Sequence, residues 1–446
     1  MKTKTLIRNA TVVNEGQAVI SDVLVINGKI AMVRENISPE ADVEIIDAKG
    51  LHLFPGAIDD QVHFREPGLT HKADIYTESR AAVAGGVTSF MEMPNTIPPA
   101  TTLELLEQKY ARAAEVSLAN YSFYIGVTNK NAGEALRADP KSICGIKIFL
   151  GSSTGDMLVE NEETLDRIFR ESKMLVAVHA EDDRMIKENL EKYLQQFGED
   201  IPVKYHPLIR SREACYASSA SAVARAKKFG TRLHVLHLST KEELALFDNS
   251  ISLLEKRITA EACVHHLWFS DADYAAKGNF LKWNPAVKSA ADRDALWEAV
   301  LDNRIDVIAT DHAPHTIEEK ALVYSKAPSG GPLVQHSLVA MIEKSLEGKI
   351  PLARVAEKMS HAVADLFRIE KRGYIREGYW ADLVLVNLDS PWVVQKENIL
   401  SKCGWSPFEG QIFRAKVEKT FVNGNLVYEG GNFNEKTIGK RLTFDL

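Results

Sequence analysis

The sequence has few cysteines and no long apolar run. Its 446 residues include four cysteines, which are far apart and form no Cys-x-x-Cys pair. This usage is typical of reduced, buried thiols, so it argues against a cysteine-built zinc site and predicts a cytoplasmic location. No stretch approaches the roughly 20 apolar residues that cross a bilayer. The N-terminal sequence MKTKTLIRNATVVNEG also lacks the apolar core of a signal peptide, so we expect no membrane association.

A strong charge bias is also missing. The formal net charge is -7 and the pI is near 6.1. The chain contains no basic run, which argues against nucleic acid as a partner. A weakly acidic surface is usually a solubility feature. Any affinity for an anionic substrate would therefore come from local groups rather than from the field of the whole molecule.

The two ends of the chain are rich in short β-type runs, and the middle has a different rhythm. Asn27-Gly28 near the start and Asn423-Gly424 near the end are strong hairpin-turn signals. Each end alone is too small for a domain. We predict that residues 1–53 and 373–446 pair into one small β-sandwich domain beside the middle part of the chain.

The middle part alternates apolar β-type runs with amphipathic segments, and its class is α/β. The eight runs are GAIDDQVHF, VTSFMEMP, NYSFYIGV, GIKIFLG, LVAVHAE, RLHVLHLST, ITAEACVHHL and DVIATDHAP. Segments such as TKEELALFDNSI and DRDALWEAVLDN, which follow these runs, have a helical pattern. This alternation predicts a (β/α)8 TIM-like barrel over residues 54–372. A doubly wound open sheet is the alternative, but no glycine-rich phosphate loop follows the first middle strand.

The strand ends of such a barrel carry the side chains of interest. Catalytic groups lie at the C-terminal ends of the strands, and five of these ends carry His63, Lys147, His179, His237 and Asp311. Imidazole and carboxylate groups are suitable ligands for zinc and similar ions. A lone histidine is more often a packing residue, but a lysine inside the apolar run GIKIFLG is almost never buried without a partner. Together these residues predict a metal centre at the barrel mouth.

Several motifs resemble those of the dihydroorotase family and occur in the same order. PGAIDDQVHFREPG, at residues 55–68, resembles the family signature in which HxHxR follows PGxID. The later matching blocks are EMPNT, GIKIFLGSSTG, VAVHAE, VLHLST, TAEACVHHL, KWNPAVK, ATDHAPHT, EGYWADLVLV and SPFEG. The resemblance covers nearly the full chain. The sequence is therefore similar to type I dihydroorotases of the amidohydrolase superfamily.

The resemblance implies a two-metal site that is bridged by a carboxylated lysine. Lys147 would carry the carbamate whose two oxygens bridge the ions, with Zn2+ as the expected metal. His179 and His237 would hold one ion, and His63 and Asp311 would hold the other. Carboxylation would convert a costly buried cation into an anionic bridge between two dications.

The sequence departs from the family pattern at Gln61, where the family has the first histidine of HxH. Residues i and i+2 of a strand share a face, so Gln61 should point into the site with His63. An amide oxygen is a weak zinc ligand compared with imidazole. We therefore expect one tight zinc ion on the His179 side, and a second ion that is weaker or absent on the His63 side.

The resemblance also implies a reaction and a substrate. The reaction is metal-assisted, reversible hydrolysis of the dihydroorotate ring amide to N-carbamoyl-aspartate in pyrimidine biosynthesis, with Asp311 as the general base. Arg65, Asn95 and His315 match the positions that hold the ring carboxylate, and Asn284 in KWNPAVK is a weaker substrate-contact candidate. The family further implies a homodimer and an association with a carbamoyltransferase.

Three other functions remain open at this stage. Hydantoinases share the barrel and the metal ligands, but their substrates lack the ring carboxylate that the predicted clamp would hold. Allantoinase is a closer relative, although EMPNT and ATDHAPH favour dihydroorotase. A non-catalytic scaffold that binds a carbamoyltransferase is suggested by Gln61, but five retained ligand positions argue against a decayed site. The stretch TIEEKALVYSKAPSGGP after His315 is predicted to be a loop over the pocket, with a plain surface loop as the alternative.

Overall fold

The computed structural model describes residues 4–39, 42–151, 157–436 and 439–445 of the chain. The motif GIKIFLGSSTG is therefore described only in part, because its last four residues fall within the segment 152–156, outside the described residues.

Eight parallel strands of the described residues form the predicted barrel. They are Ala57–Val62, Val87–Glu92, Asn120–Phe123, Ile146–Phe149, Val176–His179, Leu233–Val235, Ile258–Cys263 and Val307–Ala309. A two-residue strand, Ile125–Gly126, continues the third strand and pairs with the fourth. The ring closes where Val62 forms a parallel bridge with His312. The barrel prediction is confirmed, and the open sheet is excluded.

Helices and short turns of helix connect these strands on the outside. The longer helices are Ile75–Ala84, Leu103–Val116, Glu162–Glu171, Asp183–Phe197, Arg212–Phe229, Ala290–Leu301 and Ser337–Leu346. The shorter ones are Ala132–Ala135, His206–Ile209, Val264–Trp268, Tyr274–Lys277, Ile317–Lys320, Leu352–Ala356 and Ala362–Phe367. The pattern of DRDALWEAVLDN correctly predicts the helix Ala290–Leu301, which begins with a capping box at Ser289.

The helix expected in TKEELALFDNSI is wrong. This segment contains only the 3-10 turn Glu243–Leu246. The carboxylate of Glu243 accepts hydrogen bonds from the backbone and the hydroxyl of Thr240, which holds a tight turn. Asp248, Asn249 and Ser250 follow, and such residues favour turns over helix. A local turn therefore replaces a full helix after the sixth barrel strand.

Strands from both ends of the chain form the predicted β-sandwich domain. In spatial order they are Asn432–Phe433, Asn425–Glu429, Lys416–Val422, Leu383–Asn387, His52–Pro55, Lys4–Asn14, Gln17–Ile26 and Lys29–Arg34, and Glu44–Asp47 also pairs with Lys4–Asn14. The two ends meet where His52–Pro55 lies antiparallel to Leu383–Asn387. Both predicted Asn-Gly turns occur, with positive φ at all four residues.

Part of the C-terminal region packs against the barrel rather than in the sandwich. The short strands Trp392–Val393 and Ile412–Phe413 pair with each other, and Phe413 belongs to the same buried cluster as the barrel helices. Trp405 Nε1 donates to the carbonyl oxygen of His315, 2.7 Å away, at the barrel mouth. The domain limits 1–53 plus 373–446 and 54–372 stay a prediction.

The interior of the barrel is layered. Ile58, Leu175 and Val307, near the strand starts, belong to one apolar cluster that also contains Phe367. Strand register places Lys147 beside Ala177 and Ala177 beside His234, so Lys147 and His234 point to the same interior face. Among the described residues, no helix is long and apolar enough to cross a membrane.

Candidate active site

A cavity of about 520 Å³ opens at the C-terminal ends of the barrel strands. All ten residues that the sequence nominates lie in its wall: Gln61, His63, Arg65, Asn95, Lys147, His179, His237, Asn284, Asp311 and His315. They come from different strands and loops, and the barrel brings them together. The structure therefore brings the predicted residues together in one cavity.

His179 and His237 form one side of the cavity. His179 ends the fifth strand, and its Nδ1 lies 2.9 Å from His237 Nε2. The other ring nitrogen, His179 Nε2, lies 2.9 Å from Glu181 Oε2, and Glu181 is in turn paired with Arg210. A carboxylate at Nε2 favours the proton there and leaves the lone pair on Nδ1. Burial lowers the pKa of both histidines, so both rings are neutral and able to act as ligands.

Lys147 lies at the centre of the cavity floor, in the strand Ile146–Phe149. Its side chain is buried, and its Nζ lies 4.6 Å from the centre of the Phe149 ring. Burial lowers the pKa of Lys147 to about 7, although the carboxylates of Asp311 and Glu261 oppose this shift. At neutral pH a large fraction of this amine is therefore uncharged. The uncharged amine is the form that reacts with carbon dioxide to give a carbamate.

His63, Gln61 and Asp311 form the opposite side. His63 Nε2 lies 3.1 Å from Asp311 Oδ1, and His63 Nδ1 lies 2.7 Å from Asn95 Oδ1. Gln61 Nε2 donates to the same Asp311 oxygen at 3.1 Å, while Gln61 Oε1 faces Cys263 Sγ at 3.8 Å. The amide of Gln61 thus presents its donor to Asp311 and turns its oxygen towards Cys263.

Arg65 and His315 meet at one edge of the cavity. Arg65 Nε donates to the carbonyl oxygen of Pro314 at 3.0 Å, and its NH2 lies 3.0 Å from His315 Nε2. His315 Nδ1 lies 3.1 Å from Lys72 Nζ. Burial lowers the pKa of Arg65 to about 10, which still leaves the guanidinium charged at neutral pH. Glu319 already pairs with Lys72, 2.9 Å away, whereas Arg65 forms no salt bridge with a described residue, so its buried guanidinium makes this edge suited to an anion.

The two asparagines of the cavity differ in their surroundings. Asn95 Oδ1 contacts His63 Nδ1 and helps to orient that ring. Asn284 Oδ1 is buried, and none of the described residues donates a hydrogen bond to it. An acceptor in this position suits an N–H donor of a bound molecule.

Three residues of the cavity have left-handed backbone conformations. Arg65, His237 and Asp311 have φ values of 70°, 40° and 49°. Non-glycine residues rarely adopt this region, and such conformations concentrate at functional sites. The backbone turns at these points, which aims three side chains from three different strand ends into one cavity.

The stretch TIEEKALVYSKAPSGGP forms part of the cavity wall through Pro328, Ser329 and Gly330. It begins with the helix Ile317–Lys320. Two buried lysines tie the stretch to its surroundings through five hydrogen bonds of 2.6–3.2 Å. These run from Lys320 Nζ to the carbonyl oxygens of Lys282, Pro328 and Gly330, and from Lys282 Nζ to those of Tyr324 and Ala327. These hydrogen bonds hold the stretch in place as part of the cavity wall.

The sequence reasoning missed Glu181 and Arg210. The pKa of Glu181 is about 2, because the Arg210 guanidinium and the His179 ring outweigh the opposing effect of burial. Glu181 follows His179 by two residues, so the two-residue period of a strand was a usable signal. Arg210 follows a short helix far along the chain and gave no such signal. Lys187 and Asp183, on the helix Asp183–Phe197, also line the cavity.

A second group of possible metal ligands lies deeper in the barrel. Asp60, His234 and Glu261 are fully buried, and one ligand atom of each lies within 4.8 Å of the others. This group differs from the predicted one, which relies on a modified lysine. The three ligand atoms of this group converge as they stand, whereas the described ligands of the cavity form two pairs, His179 with His237 and His63 with Asp311.

Comparison with known proteins gives the family. The model of the Amidohydrolase family matches residues 52–427, so this chain belongs to the amidohydrolase family. It is 35% identical over 424 residues to a dihydroorotase of Halobacterium salinarum, covering 92% of this chain and 96% of that protein. It is 31% identical over 438 residues to an allantoinase of Bacillus velezensis, covering 96% and 94% of the two proteins.

A solved structure agrees in fold. The L-hydantoinase (dihydropyrimidinase) from Arthrobacter aurescens matches with a TM-score of 0.93 and 27% identity, over 99% of this chain and 100% of that one. The predicted family and the predicted fold are therefore confirmed. Because the similar proteins are named for three different cyclic-amide activities, the choice between those activities depends on the residues of the cavity.

Proposed function

We propose that the protein is a dihydroorotase. It would reversibly add water across the ring amide of dihydroorotate, so that the carbonyl carbon gains the hydroxyl, the nitrogen gains a proton, and N-carbamoyl-aspartate results. The observation that carries this proposal is the buried Arg65–His315 pair at the edge of the cavity that also holds the predicted metal ligands. Relatives named dihydroorotase at 31–35% identity support it.

The clamp favours this substrate over its rivals. Dihydroorotate carries a ring carboxylate, which a planar guanidinium can hold with two parallel hydrogen bonds. Hydantoin and dihydrouracil have no such group and would leave the buried Arg65 charge without an anion. Asn284 Oδ1, a buried acceptor with no donor among the described residues, suits a ring N–H.

The residues of the cavity fit a metal on the His179 side. His179 Nδ1 and His237 Nε2 lie 2.9 Å apart, so a shift of about 0.5 Å would give the spacing of two ligands on one zinc ion, and both rings are neutral. We propose that these histidines and a carboxylated Lys147 hold one zinc ion, and that His63 and Asp311 hold a second. A bound zinc ion would supply hydroxide at neutral pH and polarise the ring carbonyl.

Asp311 is the proposed general base. Its Oδ1 is held by Gln61 and His63 at 3.1 Å each, and its left-handed backbone turns the side chain into the cavity. A carboxylate fixed in this way can take a proton from the attacking water and return it to the leaving ring nitrogen.

The two sides of the proposed centre are unequal. Gln61 donates an N–H to Asp311 and has its oxygen towards Cys263, so it offers no ligand atom to the cavity in this orientation. We infer that the His63 side binds its ion more weakly than the His179 side, or not at all.

The proposal extends to location and assembly. The four cysteines are free and buried, which supports a cytoplasmic location. A homodimer and an association with a carbamoyltransferase are proposed from the family resemblance, and the domain limits given above are proposed from the β-rich ends of the sequence.

One assay tests the proposal against its rivals. Purified protein would be incubated with dihydroorotate, N-carbamoyl-aspartate, allantoin, hydantoin and dihydrouracil, with metal content measured on the same sample. Turnover of the first two alone is the expected result. Preference for a ring without a carboxylate would overturn the substrate, and loss of all turnover in metal-loaded protein would favour the non-catalytic scaffold.

A further inference from the structure

Three buried side chains converge in the barrel interior, outside the set assigned to the proposed reaction. Asp60, His234 and Glu261 come from the first, sixth and seventh barrel strands, and each is fully buried. His234 Nε2 lies 3.3 Å from Asp60 Oδ2 and 3.7 Å from Glu261 Oε2. Barrel interiors are usually filled with branched apolar side chains, so this polar layer needs a specific reason.

Thr259 Oγ1 lies between two partners, 2.9 Å from His234 Nδ1 and 3.2 Å from the carbonyl oxygen of Leu233. When this hydroxyl donates to Leu233, its oxygen accepts from His234 Nδ1. In that arrangement of the neutral ring, Nε2 presents a lone pair to the two carboxylates.

Most of the polar atoms of this group have no hydrogen-bond donor among the described residues. Glu261 Oε1 is occupied by the backbone N–H of His237 at 2.9 Å and by Cys263 Sγ at 3.2 Å. No hydrogen-bond donor from the described part of the chain reaches Glu261 Oε2, either carboxylate oxygen of Asp60, or Nε2 of His234 as an acceptor. Buried polar atoms are rarely left without a partner. Acceptors from three side chains therefore face one another, and a cation between them would satisfy all three.

We propose that Asp60, His234 and Glu261 form a structural divalent metal site, with zinc as its best-matched ion, one layer beneath the cavity. Zinc bonds nitrogen and carboxylate oxygen at about 2.0–2.2 Å, so two of its tetrahedral ligands lie about 3.4 Å apart. The separations of 3.3 and 3.7 Å bracket this value. A histidine and two carboxylates also neutralise the charge of a dication.

A proton on His234 Nε2 is the competing occupant. The two carboxylates do raise the pKa of His234, to about 9, against the effect of burial. However, charge-assisted N–H···O bonds are about 2.7–2.9 Å long, and both separations here are longer. Burial and the Asp60 carboxylate also raise the pKa of Glu261 to about 7, so without metal the group would hold one or two protons in place of the ion.

The three side chains take no part in the proposed reaction, but Glu261 connects them to the cavity by accepting from the backbone N–H of His237. Because all three side chains are fully buried, the ion would be acquired during folding and would exchange slowly. We therefore expect it to survive a chelator treatment that removes ions from the open cavity.

Diffraction from the unmodified protein gives the first test. Crystals of chelator-treated protein would be measured on both sides of the zinc absorption edge. An anomalous peak between Asp60, His234 and Glu261 is the expected result. A peak in the cavity would come from an ion of the proposed reaction and does not test this site. A map without a peak at the three side chains, from protein expressed with zinc, would overturn the proposal.

Variants give the second test. A double substitution His179→Ala and His237→Ala removes ligands from the cavity, and this protein should still retain one zinc ion per chain after chelation. Adding Asp60→Asn should lose that ion, whereas the matched change Asp59→Asn should keep it, because Asp59 bonds Thr310 outside the group. Retention of the ion with Asp60→Asn would contradict the assignment. If the variants do not fold, the anomalous map decides.

Discussion

The unequal metal centre can be tested by restoring a histidine at residue 61. In the wild-type chain, Gln61 Nε2 donates to Asp311 Oδ1 at 3.1 Å. Gln61→His removes this charged hydrogen bond, which is worth about 1.5–3 kcal/mol, and adds an imidazole to the His63 side. Without metal, we expect the variant to be less stable by about that amount.

With zinc, we expect Gln61→His to be more stable than the wild type instead of less stable. An ion that binds only the folded state stabilises it by about 2.7 kcal/mol at 100 times its dissociation constant and about 4.1 kcal/mol at 1,000 times. If the added imidazole makes the second ion tight, zinc should more than offset the lost hydrogen bond. Urea unfolding with and without zinc measures both effects on one protein.

Metal counting completes this test. After identical dialysis, the variant should hold one more ion per chain than the wild type, a difference that is unaffected by any ion deeper in the barrel. Gln108→His, which places a histidine on an exposed position, controls for adventitious binding. The reasoning is refuted if the wild type already fills both cavity positions tightly, or if Gln61→His gains no ion and no zinc-dependent stability.

Four further outcomes are expected. Lys147→Ala should lose the cavity metal, and added bicarbonate should raise metal content in the wild type but not in the variant, as measured by mass spectrometry of metals. Asp311→Asn should lower kcat by about 10²–10⁴-fold, and near-normal turnover would contradict its role as base. Arg65→Lys should raise KM for dihydroorotate by roughly 10–100-fold through loss of a charged, bidentate contact, while an unchanged KM would remove Arg65 from the clamp. Lys320→Met should destabilise the protein by a few kcal/mol, because it leaves buried carbonyls without a donor, and the exposed Lys326→Met should not. Equal urea midpoints for the two variants would contradict a stabilising role of the Lys320 hydrogen bonds in the cavity wall.

The barrel and the position of the cavity were predictable from the sequence. Each of the eight apolar runs is long enough to be a buried strand, and the residue at its end inherits a place at the barrel mouth. His63, His179 and Asp311 were found in this way. The Asn27-Gly28 and Asn423-Gly424 turns were equally local, because only residues that tolerate positive φ suit them.

Other features depend on contacts that no local pattern encodes. Arg210 reaches Glu181 from a separate segment, and the orientation of the Gln61 amide is set by Asp311 and Cys263 from distant strands. In TKEELALFDNSI, by contrast, a local contact made the prediction of a helix wrong. There, Glu243 and Thr240 bond each other within one turn, and this local bond outweighs an amphipathic pattern.

The antiparallel pairing of His52–Pro55 with Leu383–Asn387 has a consequence for synthesis. Leu53 leaves the ribosome roughly 330 residues before its partner Leu385, and contacts so far apart in sequence form slowly. During translation, the early strands must wait with one edge unpaired until nearly the whole polypeptide has emerged. We expect truncated nascent chains to be prone to aggregation through this edge until the strand Leu383–Asn387 has paired with it.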